Sequence, residues 1–172
     1  MPRNVEIKAR AADLERQIRI AERFADGPPE TIRQEDVFFA CPEGRLKLRR
    51  FPDGRGELIY YERPDAAGPK TSVYAIAPVE RADPLRETLS RALGAVGVVR
   101  KARTLLRSGP TRIHFDSVEN LGDFIELEVV LRPDQSEEEG ERIAREVMER
   151  LRIDPEDLVE GAYFDRLRDP SA

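Results

Sequence analysis

Apolar and polar positions alternate through most of this chain. From Arg3 to Arg10, Val5, Ile7 and Ala9 fall on one side and Asn4, Glu6, Lys8 and Arg10 on the other, a period of two that marks a strand. The same reading predicts strands over 34–39, 45–51, 58–63, 70–79, 98–107, 112–118 and 124–131. Turns fall at Pro42-Glu43-Gly44, Pro52-Asp53-Gly54-Arg55-Gly56 and Ser108-Gly109-Pro110. Elsewhere the period lengthens to that of a helix. Asp13 caps a segment carrying Leu14, Ile18, Ala21 and Phe24, which Gly27-Pro28-Pro29 ends. Asp83-Pro84 reads as an N-cap with Pro at the first helical position, opening a helix with Leu85, Leu89 and Leu93 that Gly94 closes. Ser136 and Glu139 form a capping box ahead of Ile143, Val147 and Leu151. Asp154-Pro155 opens a short helix, and 162–168 reads as an appended turn or helix. About eight short strands joined by tight turns imply antiparallel pairing and a barrel or strongly curved sheet.

The polar faces of these strands are ionic. They carry Glu6 and Lys8; Arg45, Lys47 and Arg49; Lys101 and Arg103; Arg112, His114 and Asp116; Glu126 and Glu128. An ordinary sheet with one face in water would show such alternation. Two features favour a barrel turned inside out, with an apolar exterior under helices and an ionic tunnel. Cations recur along several strands while glutamates pair on others. Like charges ~6 Å apart repel by about 3 kcal/mol at an effective dielectric of ~20, so a polyanion that neutralises them accounts for the row. Glu126 and Glu128 lie about 7 Å apart by strand rise, a spacing suited to a hard divalent cation with oxygen ligands. Together these describe a site for a metal-bound polyphosphate, with Mg²⁺ or Mn²⁺ on the carboxylates.

Composition narrows the picture. The 172 residues match a single domain, 1–172, with 40% apolar and 37% charged residues. One cysteine, Cys41, excludes an internal disulfide framework, and one histidine, His114, excludes multi-histidine metal sites. A net charge of −5 and a pI of about 5.2 argue against a general nucleic-acid or membrane-surface binder. No apolar run approaches a membrane span and no signal peptide opens the chain, so a soluble, cytoplasmic protein is expected. Only four of the 29 basic residues are lysine, namely Lys8, Lys47, Lys70 and Lys101, and all four fall on predicted strands. That distribution marks places where a compact ammonium is wanted.

The N-terminal Asn4-Val-Glu6-Ile-Lys8 resembles the Glu-x-Glu-x-Lys signature of the CYTH superfamily, which groups class IV adenylate cyclases with thiamine triphosphatases and other triphosphate hydrolases. The resemblance extends through Arg45-Leu-Lys47-Leu-Arg49, Glu57-Leu-Ile-Tyr-Tyr-Glu-Arg63-Pro64, Lys70-Thr-Ser72-Val-Tyr74, Lys101-Ala-Arg103, Arg112-Ile-His114-Phe-Asp116 and Gly122-Asp-Phe-Ile-Glu126-Leu-Glu128. It implies an α+β fold: a closed antiparallel β-barrel of about eight strands, the triphosphate tunnel, with helices packed outside. It implies Glu6, Glu126 and Glu128 as metal ligands, with Asp116 as a fourth candidate. Lys8, Lys47, Arg49, Arg63, Lys70, Lys101, Arg103 and Arg112 would hold triphosphate oxygens. Glu6, Lys8, Asp116, Glu126 and Glu128 would carry the chemistry.

Asn4 stands where the signature has its first acid, so one negative charge is lost. Arg112 could instead pair with Asp116, and His114 fits either a structural hydrogen bond or a proton shuttle. Tyr60, Tyr61 and Tyr74 could stack a base or simply pack. The branch most resembled is the class IV cyclase, which makes cyclic AMP and pyrophosphate from ATP. The alternatives are a triphosphatase acting on thiamine triphosphate, nucleoside triphosphate or tripolyphosphate, and a non-catalytic polyphosphate- or nucleotide-binding module. The family habit is compatible with a homodimer.

Overall fold

The computed structural model describes residues 2–63 and 68–168; Pro64 of the Glu57–Pro64 segment lies outside them. In chain order the elements are β1 (Arg3–Arg10), α1 (Leu14–Glu22), β2 (Glu30–Phe39), β3 (Arg45–Arg50), β4 (Gly56–Glu62), β5 (Lys70–Val79), α2 (Ala82–Leu93), β6 (Ala95–Ser108), β7 (Thr111–Val118), β8 (Gly122–Val130), α3 (Glu137–Leu151), a 3₁₀ turn at Pro155–Asp157 and α4 (Tyr163–Arg168). The strands form a closed antiparallel barrel in the order β1-β5-β4-β3-β2-β6-β7-β8, and β8 returns to β1. Closure pairs every strand on both sides and removes the exposed edges of an open sheet.

The expected inside-out arrangement holds. Val5, Ile7, Ile113, Phe115, Ile125, Leu127 and Val129 point outward and pack beneath α3 against Ala144, Val147, Met148 and Leu151, with α1 alongside. On the far wall Val37, Phe39 and Leu48 pack beneath α2, with Ala82, Leu85 and Leu89. Gly140 lets α3 approach this closely, since a Cβ there would lie 2.6 Å from Leu131 Cδ2 and 2.7 Å from Val5 Cγ2. A third cluster is inside the barrel, at one end. Phe38, Val99, Val118 and Phe124 meet Val159, Tyr163 and Phe164 there, so α4 plugs that end instead of being appended to the surface. Phe164 stacks on Phe38 with ring centroids 5.0 Å apart.

Among the boundaries that differ from the sequence expectation, two have a clear physical cause. β2 begins at Glu30, four residues before the alternation becomes clear, because it pairs with β6 along its whole length, from Glu30↔Leu105 to Phe39↔Ala95. The second helix begins at Ala82, with Arg81 as an N-cap that makes no side-chain bond. The fully buried Ala82 donates its backbone N–H to Gly54 O at 2.9 Å, and the Asp83 carboxylate pairs with Arg50 instead of capping. Docking of the 52–56 turn therefore outweighs the local capping signal.

Candidate active site

Because side chains alternate along each strand, one face of every strand turns into the barrel. Asn4, Glu6 and Lys8 of β1, Gln34 and Asp36 of β2, Lys47 and Arg49 of β3, Lys101 and Arg103 of β6, Arg112 and His114 of β7, and Glu126 and Glu128 of β8 line one cavity of about 280 Å³. Arg63, just past β4, lines it too. Eight cationic and five acidic described side chains surround this space. Nearest the plug, Lys8 Nζ is 4.0 Å from the centre of the Tyr163 ring and Lys101 Nζ is 5.1 Å from it. At the other end Ile76 is 47% exposed, and the Arg107 and Arg112 side chains reach solvent. The cavity is therefore a blind-ended pouch, ionic in its middle, with the exposed Ile76 at its mouth and Ile32, Phe51, Ile59 and Tyr74 also in its lining.

Of the expected set, Asp116 lies behind the cavity wall, and Lys70 falls on the same face of β5 as Ser72 and Tyr74, which line the cavity. Lys70 is buried and lies opposite Glu6 in the β1–β5 register. Asp116 sits behind Arg103, fully buried. It accepts two hydrogen bonds from that guanidinium, at 2.7 and 2.6 Å, and one from the Tyr163 hydroxyl at 3.0 Å. Arg112 pairs with Glu128, directly across the β7–β8 register at 3.0 Å, and not with Asp116. Glu6 accepts from Arg63 at 2.6 Å. Glu126 accepts from Arg103 at 2.9 Å and pairs with Lys8 at 3.0 Å. Tyr61 and Tyr74 line the cavity, whereas Tyr60 donates to Glu62 at 2.7 Å away from it.

The expectation that a bound polyanion alone neutralises the cations is corrected by Asp36. Only 2% exposed, it accepts from Lys47 Nζ at 2.8 Å and from Arg49 Nε and Nη2 at 2.9 and 3.0 Å, with Lys101 Nζ at 3.9 Å. Sequence reading passed over Asp36. Its signal was a lone acid on the inward parity of a strand otherwise running into Val37, Phe38 and Phe39. Tyr163 was missed as well, and no local pattern marks it.

Burial dominates the titration of these groups. It pulls Lys47 down to about 7 despite Asp36, and it lowers Lys8 and Lys101, with neighbouring cations adding to the effect. Burial opposes ionisation of Asp36, yet Arg49, Lys47 and Lys101 hold its carboxyl well below the usual range. Asp116 is held at about 2, against burial, by Arg103 and Lys101. Burial, aided by Arg103, lowers the His114 pKa and favours the neutral imidazole.

Glu126, Glu128 and His114 converge: one donor atom from each lies within 4.8 Å of the others. Glu6, Asp116, Glu126 and Glu128 all pair with cations, but among the described residues only the β8 glutamates converge with a third donor, which makes them the carboxylates best placed for a divalent ion. Asn4, 2% exposed, faces the cavity with its Oδ1 unpaired among the described residues.

A barrel of this topology, lined by cations around a carboxylate pair, defines a triphosphate-tunnel architecture. The chain belongs to the CYTH domain family, whose model matches residues 2–163. Members of that family are generally triphosphate-processing enzymes that use divalent metals. The fold is similar to that of the PH1012 protein of Pyrococcus horikoshii OT3 (TM-score 0.84, 26% identity, covering 94% of this chain and 98% of that one). It is also similar to a Vibrio parahaemolyticus protein provisionally named an adenylate cyclase (TM-score 0.76, 17% identity, 96% and 97% covered). A third likeness is to HpAC1 of Hippeastrum, provisionally named an adenylyl cyclase and described as having a dominant triphosphatase activity (TM-score 0.68, 12% identity, 100% and 97% covered). No curated protein matches the sequence. No helix among the described residues is long and apolar enough to cross a membrane.

Proposed function

We propose that this chain is a divalent-metal-dependent enzyme of the class IV adenylate cyclase type, converting ATP to cyclic AMP and pyrophosphate. The observation that supports this reading is the polarity of the pouch along its axis. Lys8, Lys47 and Lys101 are at the plugged end, Glu128 and Arg112 lie toward the mouth, and the exposed Ile76 stands at the opening. A triphosphate entering terminal phosphate first puts its β- and γ-oxygens among the lysines. Its α-phosphorus then lies beside the glutamate pair, and its nucleoside lies at the rim. Glu126 and Glu128 would hold the Mg²⁺ or Mn²⁺, which would supply positive charge to the phosphoryl oxygens.

Lys8, Lys47, Arg49 and Lys101 bind and orient the triphosphate, joined by Arg103, Arg63 and Arg112 as their acidic partners yield to phosphate. They also stabilise the negative charge that grows on the departing pyrophosphate as the ribose 3′-hydroxyl, giving up its proton to solvent at the mouth, attacks the α-phosphorus and the bond to the β-phosphate bridge breaks. Glu6 and Asp116 keep Arg63 and Arg103 in place. The plug of Tyr163, Phe38 and Phe124 limits water at the deep end, where hydrolysis of the terminal phosphate would need it.

Metal-dependent turnover of ATP, thiamine triphosphate and tripolyphosphate, with products identified, tests the reading. Cyclic AMP and pyrophosphate from ATP are expected, and Glu128→Gln should abolish their formation with the fold intact. Release of orthophosphate alone would replace cyclisation by hydrolysis in the same tunnel. Full turnover by Glu128→Gln would remove that residue from the site.

A further inference from the structure

His114 occupies the centre of the inward face of β7, and no role above uses it. In register it sits opposite Glu126, with Arg112 opposite Glu128. The residue is 4% exposed, and its Nδ1 has no hydrogen-bond partner among the described residues. Buried ring nitrogens are normally bonded. This one points between two carboxylates, 3.8 Å from Glu126 Oε2 and 3.8 Å from Glu128 Oε1. That is too long for a hydrogen bond. It does fit two ligands sharing one ion at about 2.1–2.2 Å, which can be up to about 4.3 Å apart.

The remaining acids on this side of the tunnel are engaged elsewhere. Asp116 is held by Arg103 and Tyr163, and Glu6 by Arg63. The position that could have brought a further charge carries Asn4. Lys8, Arg103 and Arg112 do pair with the two glutamates, through Glu126 Oε1, Glu126 Oε2 and Glu128 Oε2, while Glu128 Oε1 faces the imidazole.

We infer that His114, through Nδ1, is the third protein ligand of the tunnel's divalent ion, and that the resulting nitrogen–oxygen site selects a first-row transition dication such as Mn²⁺ over Mg²⁺. The inference rests on the reading that the tunnel holds a divalent ion. The selectivity follows from ligand chemistry. Mg²⁺ demands near-octahedral oxygen coordination and retains its waters, whereas an imidazole nitrogen suits the softer transition ions. With only two carboxylates committed to the ion, the nitrogen also supplies donor strength that an acid at position 4 would otherwise give.

The test uses the full-length protein, stripped of metal and free of nucleotide. Mn²⁺ is titrated in and the free ion counted by electron paramagnetic resonance, with spin-echo modulation recorded on the bound ion. One Mn²⁺ per chain with imidazole-nitrogen modulation is expected, and Mg²⁺ should displace it only in large excess. His114→Gln should remove the modulation and weaken Mn²⁺ binding at least about tenfold, since loss of even an outer-shell partner costs that much. It should leave Mg²⁺ binding nearly unchanged. Bound Mn²⁺ without nitrogen modulation, equal affinity for the two ions, or no binding by the wild type would each overturn the inference. The wild-type spectrum decides even if the variant folds poorly. Melting with tripolyphosphate, run in parallel, separates the two readings: a shift there with oxygen-only Mn²⁺ leaves the triphosphate tunnel standing and removes His114 from the metal.

Discussion

Asp36 holds Lys47 and Arg49 directly and Lys101 at longer range with one carboxylate that water barely reaches. Asp36→Asn leaves these buried cations without their acid, and breaking a buried pair in this way costs about 3–5 kcal/mol. Because the same cations face the cavity, bound tripolyphosphate should restore part of that loss. Melting the variant with and without tripolyphosphate checks this, and an identical deficit in both would detach Asp36 from the binding site. Lys47 adds a pH dependence. Its folded pKa, about 7, lies below the ordinary 10.5. The burial penalty on the charged form is therefore fully present below pH 7 and fades as pH rises toward 10.5, so this group's contribution to stability increases across that window. Anion binding restores the charge, so it takes up a proton there and affinity falls with rising pH, by up to about tenfold per unit. Lys8 and Lys101, lowered as well, add to the effect. Calorimetry at pH 8.5 in buffers of differing ionisation enthalpy should show uptake of about one proton or more. Lys47→Arg, charged throughout this range, should reduce it by about one; no uptake by the wild type would contradict the assignment.

At the level of elements, α4 depends on a residue that has no side chain. A Cβ on Gly97 would lie 2.1 Å from Phe164 Cε2, inside the ring that stacks on Phe38. Asp165 holds the helix from its other side, accepting from Arg45 at 2.7 Å and from its own Ala162 N–H at 2.9 Å. Gly97→Ala should therefore unseat α4 while the barrel persists, at the roughly 1–3 kcal/mol typical of overpacking. Trypsin should then cut after Arg166 faster than in the wild type, read by mass spectrometry, with the β-sheet circular dichroism unchanged. Equal cutting rates would show that the plug absorbs the methyl group. This helix also shows what local pattern conveys. The period of two in β1, β7 and β8 and the Ser136–Glu139 capping box of α3 are written within a few residues, so both could be read from the sequence. A six-residue helix has too few turns to show a period. Its position comes from Phe38, Gly97 and Phe124, which are distant in sequence.

Across the whole molecule, a chain with net charge −5 wraps a pouch in which described cations outnumber acids. The ionic faces could be read strand by strand, and so could the conclusion that they share an interior. Which acid meets which cation could not, because that depends on cross-strand register and on shear around the closed ring. Hence Glu126, Glu128 and most of the expected cations lie on the cavity as anticipated, while Asp116 turned out to be bonded to Arg103 and Asp36 was overlooked. Closure has a thermodynamic consequence. The pouch draws side chains from all eight strands, and no strand can leave without breaking two ladders. A ligand in it should therefore stabilise the molecule as a unit. At one hundred times its dissociation constant, a ligand specific to the folded state adds about 2.7 kcal/mol. For a chain of this size that corresponds to a rise in melting temperature of about 5–11 °C. Tripolyphosphate with Mn²⁺ should give this rise in a single cooperative transition. Orthophosphate at equal concentration should give much less, because it cannot reach both the lysines at the plugged end and Arg112 near the mouth. A melting temperature that no triphosphate shifts at millimolar concentration, with or without metal, would mean that the cations serve only to neutralise the tunnel's own acids.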